Sequence, residues 1–222
     1  MMTNLFSSFD PSTHYYMSMN WTSSLIFFTA LPISFWMLKS RMTIIVSTMI
    51  KMINKEFKML NQSNSSSTLI FISLLMFILM NNIAGLFPYI FTSTSHICTT
   101  LAMALPLWLA LNLYGWFYKT NHMFKHLVPM GTPGILMPFM VCIETISNII
   151  RPGTLAIRLS ANMIAGHLLL TLMGNTGNYL FNIMLISMLT IQMLLLLLEI
   201  AVSMIQAYVF SILTTLYSNE IN

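Results

Sequence analysis

Residues 179–217, YLFNIMLISMLTIQMLLLLLEIAVSMIQAYVFSILTTLY, are an apolar run of 39 residues with a single charge, Glu199. As a helix, at 1.5 Å per residue, it would be about 55 to 60 Å long, whereas the hydrocarbon core of a bilayer is only about 30 Å thick. Residues 134–173, GILMPFMVCIETISNIIRPGTLAIRLSANMIAGHLLLTLM, repeat the pattern over 40 residues. Both stretches must therefore tilt steeply, bend or break, and Pro152-Gly153 marks the expected break in the first. Gly174, Asn175, Gly177 and Asn178 lie between them, which predicts a turn and an antiparallel hairpin.

The rest of the chain fits the same environment. Of its 222 residues 57% are hydrophobic and 6% charged, and the mean hydropathy is +0.79; soluble domains carry about 25% charge. The start, MMTNLFSSFDPSTHYYMSMN, lacks the basic, apolar and small-residue succession of a signal peptide and is not Arg-rich like a transit peptide. Cys98 and Cys142 are isolated, so neither a disulfide framework nor a metal knuckle is indicated, and both are expected to be buried small hydrophobes. The net charge of +4 comes from residues scattered over loops and membrane borders, without the aromatic-interleaved patch that nucleic acid requires. The 22 methionines point to no site.

Three shorter spans precede the hairpin, at 21–38, 68–87 and 98–118, after an N-terminal segment 1–20. Segment 39–60 interleaves Lys39, Arg41, Lys51, Lys55 and Lys58 with isoleucine, valine and methionine, as a basic amphipathic helix on the membrane surface does. Lys119, His122, Lys125 and His126 follow the third span. Lys and Arg in short loops mark the side from which the chain is inserted, and three alternating crossings put both basic regions on that one side. The N-terminus then lies opposite, and five crossings return the C-terminus to the basic side. The expected fold is an all-α integral membrane protein: about five transmembrane helices plus a surface helix, the last two long, strongly tilted and paired as a hairpin.

Every ionisable group at membrane depth lies in that hairpin: Glu144, Arg151, Arg158, His167 and Glu199. Arg158 is the costly one. A guanidinium at a helix centre costs about 2.5 to 3.5 kcal/mol on insertion scales and cannot shed its proton, so it needs an anion or water. Its neighbours at helical spacing are Thr154, Ala161, Asn162 and Ala165. These are small or polar where lipid would be met by Leu, Ile and Phe, so the stripe reads as a docking face for a partner helix. Glu199, Ser203 and Gln206 form a polar stripe on the last stretch. An intramembrane carboxyl there can bind and release a proton, or serve as a hydrogen-bonded packing group. His167 suits a proton relay, the alternative being a neutral, satisfied core histidine.

In an antiparallel pair, residues at equal depth have a constant index sum. His167 with Glu199 gives 366 and Arg158 with Gln206 gives 364, so the two pairs share one register, although its centre near 182 needs an asymmetric turn. Glu144 lies about 21 Å from Arg158 along a straight helix and His167 about 13 Å the other way. Titratable groups thus flank a permanent cation. Two partial aqueous paths ending near Arg158 would not short-circuit past a fixed positive charge, and a mobile carboxylate on another subunit would pass it only when deprotonated. One charge crossing 100 mV releases about 2.3 kcal/mol, enough to give such movement a direction.

The strings ETISNIIRPGTLAIRLSANMIAGHLLL (144–170) and LEIAVSMIQAYVFSILTTLY (198–217), with FDPS (9–12), GLFPYIFTSTSH (85–96) and HLVPMGTP (126–133), resemble the subunit a (ATPase subunit 6) family of animal mitochondrial ATP synthases over the whole chain. The resemblance implies a non-catalytic, proton-translocating stator subunit in the mitochondrial inner membrane, with its N-terminus toward the intermembrane space and its C-terminus toward the matrix. It implies that Arg158 faces the carboxyls of a rotating c-ring with Asn162 and Gln206 as polar neighbours. It makes His167 and Glu199 the pair lining a half-channel from the intermembrane space, and Glu144 a carboxylate near a matrix-side half-channel. Ser160 stands where the family usually has threonine and keeps the hydroxyl. The implied partners are the c-ring, other membrane-sector and peripheral-stalk subunits, protons and membrane lipid; no cofactor, metal or nucleic acid is expected.

Two readings from other classes compete. His122 and His126 have the i, i+4 spacing of metal ligands, but membrane di-iron enzymes need several such boxes and this is one, set among lysines. A stand-alone secondary transporter should show paired broken helices related by inverted topology, and none is found.

Overall fold

A computed structural model describes residues 5–12, 18–25, 29, 32, 37–61, 67–128, 133–177 and 181–221. Six α-helices order the described chain: α1 Arg41–Leu60, α2 Thr68–Gly85, α3 Ile97–Tyr118, α4 Thr120–Leu127, α5 Met137–Thr176 and α6 Asn182–Ile221. Of these, α2, α3, α5 and α6 are long and apolar enough to cross a bilayer. Half of the span expected at 21–38 falls outside the described residues; its start belongs to a short 3-10 helix, Met19–Leu25.

The surface segment begins where Ser40, in extended conformation, caps α1 by accepting the Thr43 amide at 3.3 Å. Such a cap satisfies one of the donors a helix start leaves open. At the other end Asn61 donates its amide to the Phe57 carbonyl at 2.9 Å. Phe57 is fully buried against Phe71, Ile72 and Leu75 of α2, which fixes α1 to the bundle.

The spanning helices meet around Ile78 of α2, Ala104 of α3, Leu155, Ala156 and Leu159 of α5, and Ala207 and Phe210 of α6. Lipid tails are as apolar as leucine, so helices associate in a membrane through close packing and internal hydrogen bonds rather than by escape from water. The α6 seam shows how. Ser203, Ser211, Thr214, Thr215 and Ser218 are buried, and each hydroxyl donates to a carbonyl one turn back in its own helix, at 2.7 to 2.8 Å. Small side chains admit the neighbouring backbone while leaving no hydroxyl unpaired.

The last two helices form the long antiparallel hairpin, α5 and α6 each counting 40 residues. Three features differ from expectation. Pro152 does not break α5, which runs unbroken from Met137 to Thr176. The ring removes one amide and leaves the Asn148 carbonyl without its helical donor, a loss that membrane helices tolerate without ending. Gly174 and Asn175, expected in the turn, are helical, and Gly177 keeps a helical φ of −58°; Asn178 lies outside the described residues. Both cysteines, expected to be buried, are exposed on the chain's outer surface, where a small soft side chain meets lipid or a neighbour without penalty.

Candidate functional site

Helix α5 has two faces of different purpose. Pro152, Leu155, Ala156, Leu159, Ser160 and Met163 are buried, following the i, i+3, i+4 rhythm of a packed helix side. Thr154, Arg158, Ala161, Asn162 and Ala165 are all exposed on the outside. The small-residue stripe is therefore an open face of this chain, and no carboxylate among the described residues pairs with Arg158.

Where α5 meets α6 near Arg158, Asn162 Nδ2 donates to Gln206 Oε1 at 3.3 Å. Gln206 thus joins Asn162, one turn from Arg158. Farther along, Glu199 lies on Gly166. A Cβ built on Gly166 would fall 2.8 Å from Glu199 Cδ and Oε1, so only glycine leaves room for the carboxyl. An alanine there would push the carboxyl aside, and the group displaced is the free end of a flexible side chain.

Behind the open face is a cavity of about 200 Å³. Its polar wall comprises Asn82 of α2, Asn162 and His167 of α5, and Glu199, Ser203 and Gln206 of α6. Glu199 is 9% exposed and Gln206 6%. Both carboxyl oxygens of Glu199, His167 Nε2, Gln206 Nε2 and both amide atoms of Asn82 lack a hydrogen-bond partner among the described residues. Buried polar groups are rarely left so, and although leucines and other apolar residues make up most of the lining, a cavity of this size has room for waters beside these atoms, each wanting two to four such partners. His167 is further held edge-on by Phe9, with ring centroids 6.2 Å apart.

Glu144 stands apart from this group. Arg151 Nη2 approaches Glu144 Oε1 at 3.9 Å, and Arg151 Nη1 donates to Glu220 Oε2 at 3.1 Å. The same guanidinium lies over the Tyr217 ring, 5.1 Å from its centroid. A smaller cavity, about 50 Å³, is lined by Asn148, Arg151, Tyr217, Glu220 and His126 among others. The hairpin thus gathers His167, Glu199, Asn162 and Gln206 at one cavity, pairs Glu144 with an Arg151 that lines another, and leaves Arg158 outside both on the open face.

Asn82 and Glu220 escaped the reading of the sequence. Asn82 had a visible signal, since a polar Asn81-Asn82 pair inside the span LLMFILMNNIAG is as costly in lipid as any other unsatisfied polar group. Glu220 had almost none, being a carboxylate two residues from the end of the sequence, and only the fold carries it to Arg151.

A sequence profile described as the ATP synthase A chain matches residues 16–219. The chain belongs to the ATP synthase A chain family. It is 59% identical over 224 residues to ATP synthase subunit a of Drosophila melanogaster, covering all of both chains. It is likewise 59% identical over 226 residues to that of Anopheles quadrimaculatus and over 224 residues to that of Locusta migratoria, again covering all of both chains. As an ATP synthase A chain it is a multi-pass membrane subunit with a part in proton translocation. That membership sets aside the metalloenzyme and stand-alone transporter readings; His122 and His126 are exposed on the short helix α4.

Proposed function

We propose that the chain is the proton-translocating stator subunit of the ATP synthase membrane sector, loading and unloading the carboxyl groups of a rotating c-ring past Arg158. The observation that carries this reading is the division of α5. Arg158, Ala161 and Asn162 face outward, while His167, with Glu199 and Gln206 of α6, presents unpartnered polar atoms to the cavity behind that face. In this reading the cavity is the inner end of a half-channel from the intermembrane space. Protons pass by way of His167 and Glu199 to a c-ring carboxylate that has just left Arg158. The c-ring carboxylate is drawn to the guanidinium only after releasing its previous proton, so loading and unloading alternate around one fixed charge. Asn162 and Gln206, bonded to each other, hold the polar neighbourhood of Arg158.

The release path on the other side comprises Glu144, Arg151 and Glu220. The second cavity and its ion pairs support this assignment, as does its place by α4, whose Lys125 and His126 belong to the basic, matrix-facing side. The N-terminus then faces the intermembrane space and the C-terminus the matrix, in the mitochondrial inner membrane. The c-ring, other membrane-sector subunits and the peripheral stalk are its partners, and the reading needs no cofactor.

Ser203 lines the first cavity and tests the entry side directly. In a Cys98→Ser, Cys142→Ser background, Ser203→Cys in the assembled complex is expected to react with a small water-soluble thiol reagent from the intermembrane-space side and to be protected from the matrix side. Reaction from the matrix side alone, or from neither side, would contradict the half-channel. On the release side, Glu220→Gln removes one of the two carboxylates bound to Arg151 and is expected to slow ATP-driven proton pumping by about 10²-fold, the scale of a lost proton-transfer group. A pumping rate equal to that of the unmodified complex would remove Glu220 from the path.

A further inference from the structure

Three sectors run along α1, and the bundle occupies only one of them. At about 100° per residue, Ile50, Ile53 and Phe57 fall on one side, where Phe57 packs among Phe71, Ile72 and Leu75 and Ile212 of α6 joins the same cluster. A second sector contains Ile45, Met49, Met52 and Met59, exposed by 53 to 70%. The third contains Lys51, Lys55 and Lys58, spaced i, i+4, i+7 and all exposed. The helix has one carboxylate, Glu56, which lies at the methionine sector rather than the lysine one, where Tyr208 Oη of α6 donates to its Oε2 at 3.3 Å. No salt bridge neutralises the stripe among the described residues.

We infer that α1 binds acidic phospholipid, with Lys51, Lys55 and Lys58 holding headgroup phosphates while Met49, Met52 and Met59 sit among the acyl chains beside them. A helix pinned to the bundle along one edge, apolar along the next and cationic along the third has the form of a helix at the headgroup boundary. Side-chain chemistry favours lipid over a fixed protein surface. Unbranched methionines adapt to fluid chains, and lysine's mobile point charges suit phosphates in changing positions, whereas a set protein carboxylate is matched better by the arginine fork. The inference rests on membrane placement and is independent of the proton path.

The test uses the assembled complex in phosphatidylcholine vesicles containing a minor fraction of phosphatidylglycerol, with a photoactivatable analogue of each lipid and crosslinks on α1 mapped by mass spectrometry. The phosphatidylglycerol analogue is expected to label α1 about five-fold more than the phosphatidylcholine analogue per mole, the preference given by one lysine at an acidic surface. High salt should collapse that preference in the unmodified complex. The triple variant Lys51→Gln, Lys55→Gln, Lys58→Gln should bring the ratio to about one with phosphatidylcholine labelling retained, and the triple arginine variant should restore it. Equal labelling by both lipids in the unmodified complex would overturn the inference. So would absence of labelling by either, which means that a protein subunit covers the helix, or loss of labelling with excess inorganic phosphate, which means a free-anion site.

Discussion

Arg158→Lys is expected to abolish proton-driven ATP synthesis in an assembled, membrane-inserted complex, lowering the rate by at least about 10²-fold, in the range of lost electrostatic stabilisation. Arg158 lies on the open face of α5 with Thr154, Ala161, Asn162 and Ala165 around it. These side chains are too short to reach over it, so an approaching helix meets the guanidinium directly. Lysine keeps the length and nominal charge, but it can lose its proton and lacks the planar fork that grips a carboxylate. A cation that can be neutralised no longer blocks protons from passing between the two paths. The diagnostic result is therefore loss of synthesis together with a proton leak. Synthesis near the unmodified rate would refute the assignment of Arg158, and loss of the assembled complex would be separated by quantifying the c-ring that copurifies.

Glu199→Gln should have the second largest effect, slowing proton uptake from the intermembrane-space side by about 10²-fold. The substitution keeps the shape that fits over Gly166 and the polarity of the cavity wall, and removes the exchangeable proton. Glu199→Asp should recover part of the flux, because the carboxyl returns on a shorter stem. His167→Ala is the informative companion. In a relay, its loss and that of Glu199 are strongly non-additive, since either break interrupts the same path. Unchanged flux in Glu199→Gln would leave the cavity as a packing defect filled with water.

Much of this arrangement was legible in the chain itself, because in a membrane each charge must be accounted for. The apolar lengths at 134–173 and 179–217 predicted two long helices and a hairpin, and the small residues around Arg158 predicted its open face. What stayed hidden depends on how the helices slide against each other. Gln206 bonds to Asn162 across 44 positions, and Glu220 reaches Arg151 across 69. Such registers are settled by packing around Leu159, Ala207 and Phe210 and have no period in the sequence. Pro152 misled for a related reason. Its ring costs the helix one amide bond, and Pro152 itself is packed in the buried face by which α5 joins the bundle. The exposed cysteines show the same limit, as burial statistics from water-soluble proteins do not describe a surface that meets lipid.

The unbroken length of α5 has a geometric consequence. A 40-residue helix is a rod of about 60 Å, and kept within a slab of about 30 Å it lies roughly 60° from the membrane normal. Glu144 and His167 are 23 positions apart, about 35 Å along the axis, which projects to about 17 Å in depth and about 30 Å in the plane. Any body that collects a proton near one of these groups and surrenders it near the other must be displaced tangentially by most of that distance. An upright helix would have stacked the same residues on one vertical line, where exchange requires no travel.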